Sequence, residues 1–387
     1  MYQRTAAIVG VGQSRLGEIP GSTSLGLMAD AAVAAVADAG LSPSDIDGVI
    51  VRGPDDEYCF QQQLGERLGL DVAFATSLDN GGASQALAVI LASLAIEAGL
   101  TTTVLCGYAR NSWSRTRRSG SRRGRMNQAT SRRRREFRDP FGYMGEPATH
   151  ALGARRHMAM YGTTKEQLGH VAVALRAHAT RNPDAQMREP LTMEQYLTGR
   201  LITEPFGIYD CSLRTDGAGA VVVTDVARAR DLRHPPVVVR GFGTHNNLRG
   251  WIVDDHMVDT AARASGERAY RIAGVTPADI DTVQLYDCFT YMVLAQLEDY
   301  GFCGKGDGGA FVASGALELG GALPTNTAGG QLSEGHVEGM LQIVEAVRQL
   351  RHEHLPERQV PDARLALVSG HGGNTVCHST LILEGAT

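Results

Sequence analysis

One eleven-residue signature occurs twice in the chain, and it constrains the fold more than any other feature. Residues 39–49 read AGLSPSDIDGV and residues 273–283 read AGVTPADIDTV, so the copies match without a gap. Each copy sits in the same local context. In the first, an apolar strand at 6–12 (AAIVGVG) precedes a helix that begins near Ser24 and stops at Gly40. Pro43 and Asp45 then turn the chain into a strand at 46–51. In the second, a strand at 237–243 precedes a helix over 257–273, and Gly274, Pro277 and Asp279 lead into a strand at 282–285. A glycine just past a helix and a proline–aspartate turn after it are physical stop and turn signals. The glycine-rich runs 215–225 and 371–385, each feeding a β stretch, match as well. Agreement at both ends of each unit implies duplication. Strands alternating with helices predict an α/β fold in which mixed or parallel sheets are covered by helices. The halves are expected at 1–230 and 231–387, with an inserted lobe at about 110–205. That lobe holds an Arg-rich loop, a helix over 147–161, a helix over 165–181 and the pattern PLTMEQYL.

Bulk properties narrow the function classes. Hydrophobic residues make up 43% and charged residues 20%, enough apolar material for a large core. The net charge of −5 gives no general attraction to nucleic acids or membranes. The longest apolar candidate, 86–100, is broken by Ser93 and Glu97 and falls short of the roughly 18 residues a membrane span needs. The start of the chain lacks a charged n-region and a cleavage site, so a cytoplasmic location is expected. Six scattered cysteines without a CxxC pair read as reduced thiols and give no metal site by spacing.

Taken in order, several segments resemble the thiolase superfamily, specifically the sterol-carrier-type thiolases and their lipid-transfer and aldolase relatives. They are RRHMAMYGTTKEQL (155–168), Asn-Pro (182–183), PLTMEQYL (190–197), YDCSLRTDGAGAVVV (209–223), YDCFTYMVLAQLEDYGFC (286–303), TNTAGGQLSEGHVEGM (325–340) and SGHGGN (369–374). The resemblance covers essentially the whole chain. It implies a five-layered α/β/α/β/α core of two duplicated halves, an inserted loop lobe over the site, and homodimers. It also implies acyl-coenzyme A thioesters as substrates, with no covalently bound cofactor and coenzyme A entering as part of the substrate.

Family thiolases place a nucleophilic cysteine at the start of a buried helix in the first half. The matching segment here is DNGGAS (79–84), which has no cysteine. Ser84 is its only hydroxyl, and a serine without an adjacent base is a poor nucleophile. It reads as a capping residue at the helix start. The second half keeps more. Tyr286 stands where the resemblance implies an asparagine or histidine that holds the thioester oxygen; the alternative is a core aromatic ending a strand. His336, in Gly335-His336, matches the histidine that polarises the thioester carbonyl. Opening a helix over 337–350, it is expected to be neutral at a positive helix end. His371, in the C-terminal glycine-rich turn with Gly372 and Gly373, stands near the missing acid/base thiol.

A missing nucleophile together with Tyr286 is similar to the thiolase-like retro-aldolases. Their reaction needs a proton acceptor and an enolate stabiliser but no covalent handle. The function expected is retro-aldol cleavage of a β-hydroxyacyl-CoA, with a steroid-like acyl group in view. The alternatives are a thiolase or acyltransferase on a 3-oxoacyl-CoA, and a non-catalytic acyl-CoA or lipid carrier. A Schiff-base aldolase is disfavoured, since Lys165 and Lys305 are the only lysines. A metal aldolase is disfavoured because His150, His157, His170 and His178 show no ligand spacing and read as solvated helix positions.

Residues 115–138 hold eleven arginines and one acid, Glu136. Such a run is either a solvated loop or a grip on the coenzyme A phosphates. For the second reading the candidates are Arg117, Arg118, Arg122 and Arg123, with Gly372 and Gly373. RNA ranks last because aromatics are absent between Ser114 and Glu136. A small OB-fold, zinc-ribbon partner protein is implied by the resemblance alone.

Overall fold

The computed structural model describes the chain except residues 1, 2, 4, 55, 56, 119–138, 142, 144, 248–256, 374, 375 and 387. Of 116–118 and 139 it gives the backbone alone. The first-half strands are β1 (Ala6–Gln13), β2 (Gly48–Arg52), β3 (Phe74–Ser77) and β4 (Thr103–Asn111). A two-stranded ribbon, β5 (Leu201–Thr203) and β6 (Phe206–Gly207), lies in the lobe, and β7 (Asp216–Asp225) closes the half. The second half supplies β8 (Val237–Asn246), β9 (Thr282–Gln284), β10 (Leu365–Gly372) and β11 (Cys377–Glu384).

Both copies of the signature fold alike and share the same capping and register-setting hydrogen bonds. Helix Ser24–Asp38 is followed by Gly40 at φ +71°, and helix Ala262–Ala273 by Gly274 at φ +70°. That conformation favours glycine. Asp45 accepts from the N–H and hydroxyl of Ser42 at 2.9 and 2.7 Å, and Asp279 accepts from the same groups of Thr276, both at 2.7 Å. The next aspartate in each copy sets the strand register. Asp47 takes the backbone N–H groups of Thr102 and Thr103, and Asp281 those of Arg364 and Leu365. As a result β2 pairs parallel with β4, and β9 pairs parallel with β10.

The nine strands run in the order β3-β2-β4-β7-β1-β8-β11-β10-β9, a repeat reflected about the β1–β8 junction. That junction is narrow, with pairing at Ala7–Val238 and Ile8–Val237. In the second half the place of β3 is taken by one bridge, Val283 to Thr325. Alternation along the strands sorts side chains into layers. Ile8, Cys106, Val221, Val368 and Leu381 face helices Ser84–Glu97 and Met340–Leu350, which lie between the two sheet halves. Val9, Leu105 and Val222 face helix Ser24–Asp38, and Leu367 and Ile382 face helix Ala262–Ala273. The result is the five-layered α/β/α/β/α core. Each fully buried Val, Leu or Ile in it contributes about 1.5–3 kcal/mol. The outer helices sit close because strand glycines admit them. A Cβ on Gly12 would lie 2.3 Å from the Ala31 carbonyl oxygen, and one on Gly243 would lie 2.0 Å from that of Ser265.

The lobe contains helices Gly145–Tyr161 and Lys165–Thr180, the second opened by a Thr164–Gln167 capping box, and both pack on the cluster of Cys288, Phe289 and Tyr291. No described helix is long and apolar enough to cross a membrane.

Candidate functional site

Three loops converge on a cavity of about 340 Å³ at the C-terminal ends of β9 and β10 and the start of helix Ser84–Glu97. Tyr286, Cys288 and Phe289 come from the loop after β9, His336 from the segment before helix Met340–Leu350, and His371 with Gly372 from the end of β10.

The first-half turn is a platform. The hydroxyl of buried Ser84 accepts the Asn80 N–H at 2.7 Å, so it is committed to holding the turn. Gly82 is bare for a reason visible across the cavity: a Cβ there would fall 2.2 Å from two ring carbons of Tyr286. The tyrosine ring thus lies directly over the turn where a family thiolase carries its nucleophile. The second glycine-rich turn abuts the same place, since a Cβ on Gly372 would lie 2.1 Å from the Asn80 carbonyl oxygen. His371 follows with it.

Tyr286 is fixed from several sides. Its N–H donates to Ser369 Oγ at 3.2 Å, and its carbonyl accepts from Gln296 Nε2 at 2.9 Å. Next to it, buried Asp287 accepts from the N–H groups of Gln331 and Leu332 at 2.9 and 3.1 Å and from Gln342 Nε2 at 3.0 Å. Burial outweighs these bonds and pushes its carboxyl up to about 6. Asp287 therefore ties the tyrosine loop to the segment carrying His336.

The Tyr286 hydroxyl lies 3.4 Å from His336 Nε2, and Ser212 Oγ lies 3.1 Å from His336 Nδ1. Burial, followed by the charge of Arg110, holds the imidazole well below its usual range. Burial likewise raises the Tyr286 phenol well above 10. At neutral pH both groups are uncharged, a proton donor facing a proton acceptor. The expected reason for a neutral His336 is corrected. Glu338 and Gly339 adopt φ of +44° and +87°, so the helix begins at Met340 and not at residue 337. Desolvation and Arg110, not a helix end, keep the ring neutral.

Cys288 Sγ stands 3.0 Å from His371 Nε2 and 4.0 Å from His150 Nε2. The rings of Tyr286 and His371 meet edge to face at 4.7 Å. Burial holds the Cys288 thiol well above, and His371 well below, their ordinary values.

Four site residues were missed or misread in the sequence. Helix Gly145–Tyr161 does not leave His150 solvated: it is 2% exposed, against Phe289. His157 and His178 are buried too, while His170 is half-buried, so the solvated reading fails for the first three. His157 is bonded to Glu298 and His178 to the Asn326 carbonyl, a structural use of both. Arg110 and Glu338 line the cavity 3.7 Å apart, and Arg52 pairs with Glu338 from behind. Ser212 completes the set. Ser212 and Glu338 lie inside the segments 209–223 and 325–340 that carry the resemblance, whereas Arg110 and His150 lie in none of them. Gly372 and Gly373 line the cavity. Arg122 and Arg123 lie outside the described residues, as do the side chains of Arg117 and Arg118.

Comparison with known proteins agrees with this geometry. Residues 245–385 match the family model described as "Thiolase C-terminal domain-like". A steroid side-chain-cleaving aldolase of Thermomonospora curvata is 37% identical over 358 residues, which cover 89% of this chain and 90% of the relative. The 17-hydroxy-3-oxo-4-pregnene-20-carboxyl-CoA lyase of Mycobacterium tuberculosis is 38% identical, covering 91% of this chain and 92% of the relative. Among solved structures, an Ltp2–ChsH2(DUF35) aldolase superposes with a TM-score of 0.90 at 35% identity, over 99% of this chain and 98% of that one. The human mitochondrial 3-ketoacyl-CoA thiolase, at 16% identity and a TM-score of 0.76, shares the fold. The chain belongs to the thiolase superfamily, among its thiolase-like aldolases, the carbon–carbon lyases of acyl-CoA.

Proposed function

We propose that the protein cleaves the Cα–Cβ bond of a β-hydroxyacyl-CoA by a retro-aldol reaction, with a ring-bearing, steroid-like acyl group as substrate. The observation that carries this reading is the uncharged Tyr286–His336 pair at 3.4 Å, set over a first-half turn that offers no free nucleophile. His336 Nε2 draws on the Tyr286 hydroxyl, and the pair takes the proton of the substrate β-hydroxyl. As the Cα–Cβ bond breaks, the former hydroxyl carbon becomes a ketone and the bonding electrons pass into the thioester enolate. Arg110 provides positive charge beside that enolate from the cavity wall. The Cys288 thiol, backed by His371, is placed to give its proton to Cα, and the thiolate left behind takes back the proton held by the Tyr286–His336 pair, which restores every group of the site. Atoms balance: one β-hydroxyacyl-CoA gives one ketone and one shorter acyl-CoA.

The substrate class draws on the names of the two relatives, one a steroid side-chain-cleaving aldolase and the other a lyase of a 17-hydroxylated pregnene carboxyl-CoA. A partner protein also belongs to the proposal. The lobe carries exposed apolar side chains, among them Leu152, Leu197, Leu201 and Ile208, suited to a docked chain. The similar aldolase is named as a complex with a DUF35 protein. A small OB-fold zinc-ribbon chain fits that role, and a homodimer through the edge strand β3 fits the sheet order. Product analysis tests the activity. The chain and its partner, supplied with a 17-hydroxylated steroid C20-carboxyl-CoA, should release ring ketone and shortened acyl-CoA in equal amounts. Transfer of an acyl group to free coenzyme A instead would refute it.

A further inference from the structure

Beside the Tyr286–His336 pair, the cavity wall holds a second cluster of different chemistry. His150, Cys288 and His371 each turn one ligand atom inward, and these three atoms lie within 4.8 Å of one another. All three residues are buried. They come from the lobe helix Gly145–Tyr161, from the loop after β9 and from the end of β10, 138 and 83 positions apart along the chain. Ligand spacing in the sequence therefore gave no sign of them.

We propose that His150, Cys288 and His371 form a binding site for one zinc ion, and that the loaded ion inhibits the retro-aldol reaction. Two imidazoles and a thiol are a donor set suited to Zn²⁺. Zinc–sulfur and zinc–nitrogen bonds of about 2.3 and 2.0–2.1 Å put tetrahedral ligand atoms about 3.3–3.6 Å apart. The observed Sγ–Nε2 distances of 3.0 and 4.0 Å bracket that range, and the ligand atoms of the two imidazoles lie within 4.8 Å of each other, so the ion needs them drawn together by at most about 1.5 Å. The supporting shell is present as well. His150 Nδ1 lies 2.9 Å from the Glu146 carbonyl oxygen, which takes its N–H and leaves the Nε2 lone pair directed at the cluster. His371 Nδ1 has no hydrogen-bond partner among the described residues, and its ring is instead held by packing against Tyr286 and His378 with Nε2 already toward Cys288. Three protein ligands leave a fourth tetrahedral position, and the cavity beside Tyr286 is where it opens.

Binding exchanges the Cys288 thiol proton for the ion and releases that proton to solvent, with no change of oxidation state. The effect on turnover rests on the proposed function, because the ion occupies the Cys288–His371 pair assigned there to return a proton to Cα. The binding itself does not rest on it.

Cobalt(II) is the probe, titrated into the purified full-length chain previously treated with chelator. The expected result is one ion per chain, with tetrahedral visible bands and a sulfur-to-cobalt charge-transfer band in the near ultraviolet. Cys288→Ser should abolish the charge-transfer band, and His150→Ala should weaken binding roughly 10–100-fold. Thermal melting establishes that each variant is folded, and His170→Ala serves as a control that binds normally. One equivalent of zinc should lower turnover at least tenfold, reversibly with chelator. Absence of the charge-transfer band, its survival in Cys288→Ser, or equal turnover with and without zinc would overturn the proposal. If the chelated chain, combined with partner that has not been exposed to chelator, shows no turnover at all, the retro-aldol reading fails and the cobalt spectra of the chain alone still decide the site.

Discussion

The two central helices occupy equivalent layers, yet they are put to different use. Helix Ser84–Glu97 buries mainly apolar side chains and no charged one, with Gln85 and Ser93 its buried polar groups past Ser84, and it begins at a turn whose one hydroxyl is spent on the Asn80 N–H. Helix Met340–Leu350 follows the segment carrying His336 and Glu338. It also buries Glu345 among Thr327, Gln349, His354 and Arg358. The duplicated frame is thus symmetrical while its chemistry is not. The first half gives a surface against which the tyrosine ring packs, and in the proposed reaction the second half gives the groups that move protons.

Substitution can break this contrast, and the largest effect is expected at Tyr286. Tyr286→Phe keeps the ring over Gly82 and removes the hydroxyl facing His336, so turnover should fall by roughly 100- to 10,000-fold with little change in melting temperature. Steady-state assays alongside thermal melts check both halves of that statement.

Acid separates the two helices next. The bonds from His354 and Thr327 and the nearby Arg358 charge hold the Glu345 carboxyl at about 2, against an ordinary 4.5. A depressed carboxyl stabilises the fold above its unfolded value, and that contribution disappears as pH falls from about 4.5 toward 2. It is on the order of 3 kcal/mol. Glu345→Gln should therefore be less stable than the parent at pH 7, and the gap should close by pH 2–3 in denaturant melts.

Gly82→Ala acts on the platform. Its Cβ would meet the Tyr286 ring at 2.2 Å, and displacing that buried ring should cost about 1–3 kcal/mol and lower turnover through the tyrosine. Removing Ser84 should do least. Ser84→Ala loses one local bond, worth about 1 kcal/mol, and leaves turnover within a few-fold of the parent. A collapse of activity in Ser84→Ala would move the nucleophile back to the first half.

Much of this frame was legible in the sequence because the repeat is written in backbone demands. Gly40 and Gly274 both take positive φ, and each Asp-Ile-Asp performs the same capping and register-setting bonds. Tyr286, His336 and His371 were singled out because they lie in segments that carry the family resemblance; His336 and His371 also adjoin glycines, whereas Tyr286 sits between Leu285 and Asp287 just past a strand. The misses share another cause. His150 is desolvated by Phe289 and Cys288, which arrive from more than a hundred residues away, and nothing local marks it as buried. Arg110 and Glu338 owe their place to pairing across the cavity. The helix start after His336 was misplaced because Glu338, unlike glycine, gives no sequence sign of a positive φ.

Intact-protein mass spectrometry during turnover tests the central claim most directly, that cleavage proceeds without the chain ever carrying the acyl group. With a β-hydroxyacyl-CoA substrate and rapid acid quench, the account predicts an unmodified mass at every time point while ketone and shortened acyl-CoA accumulate one to one. A transient adduct of acyl mass on Ser84, Cys288 or any other residue, rising before product, would contradict it.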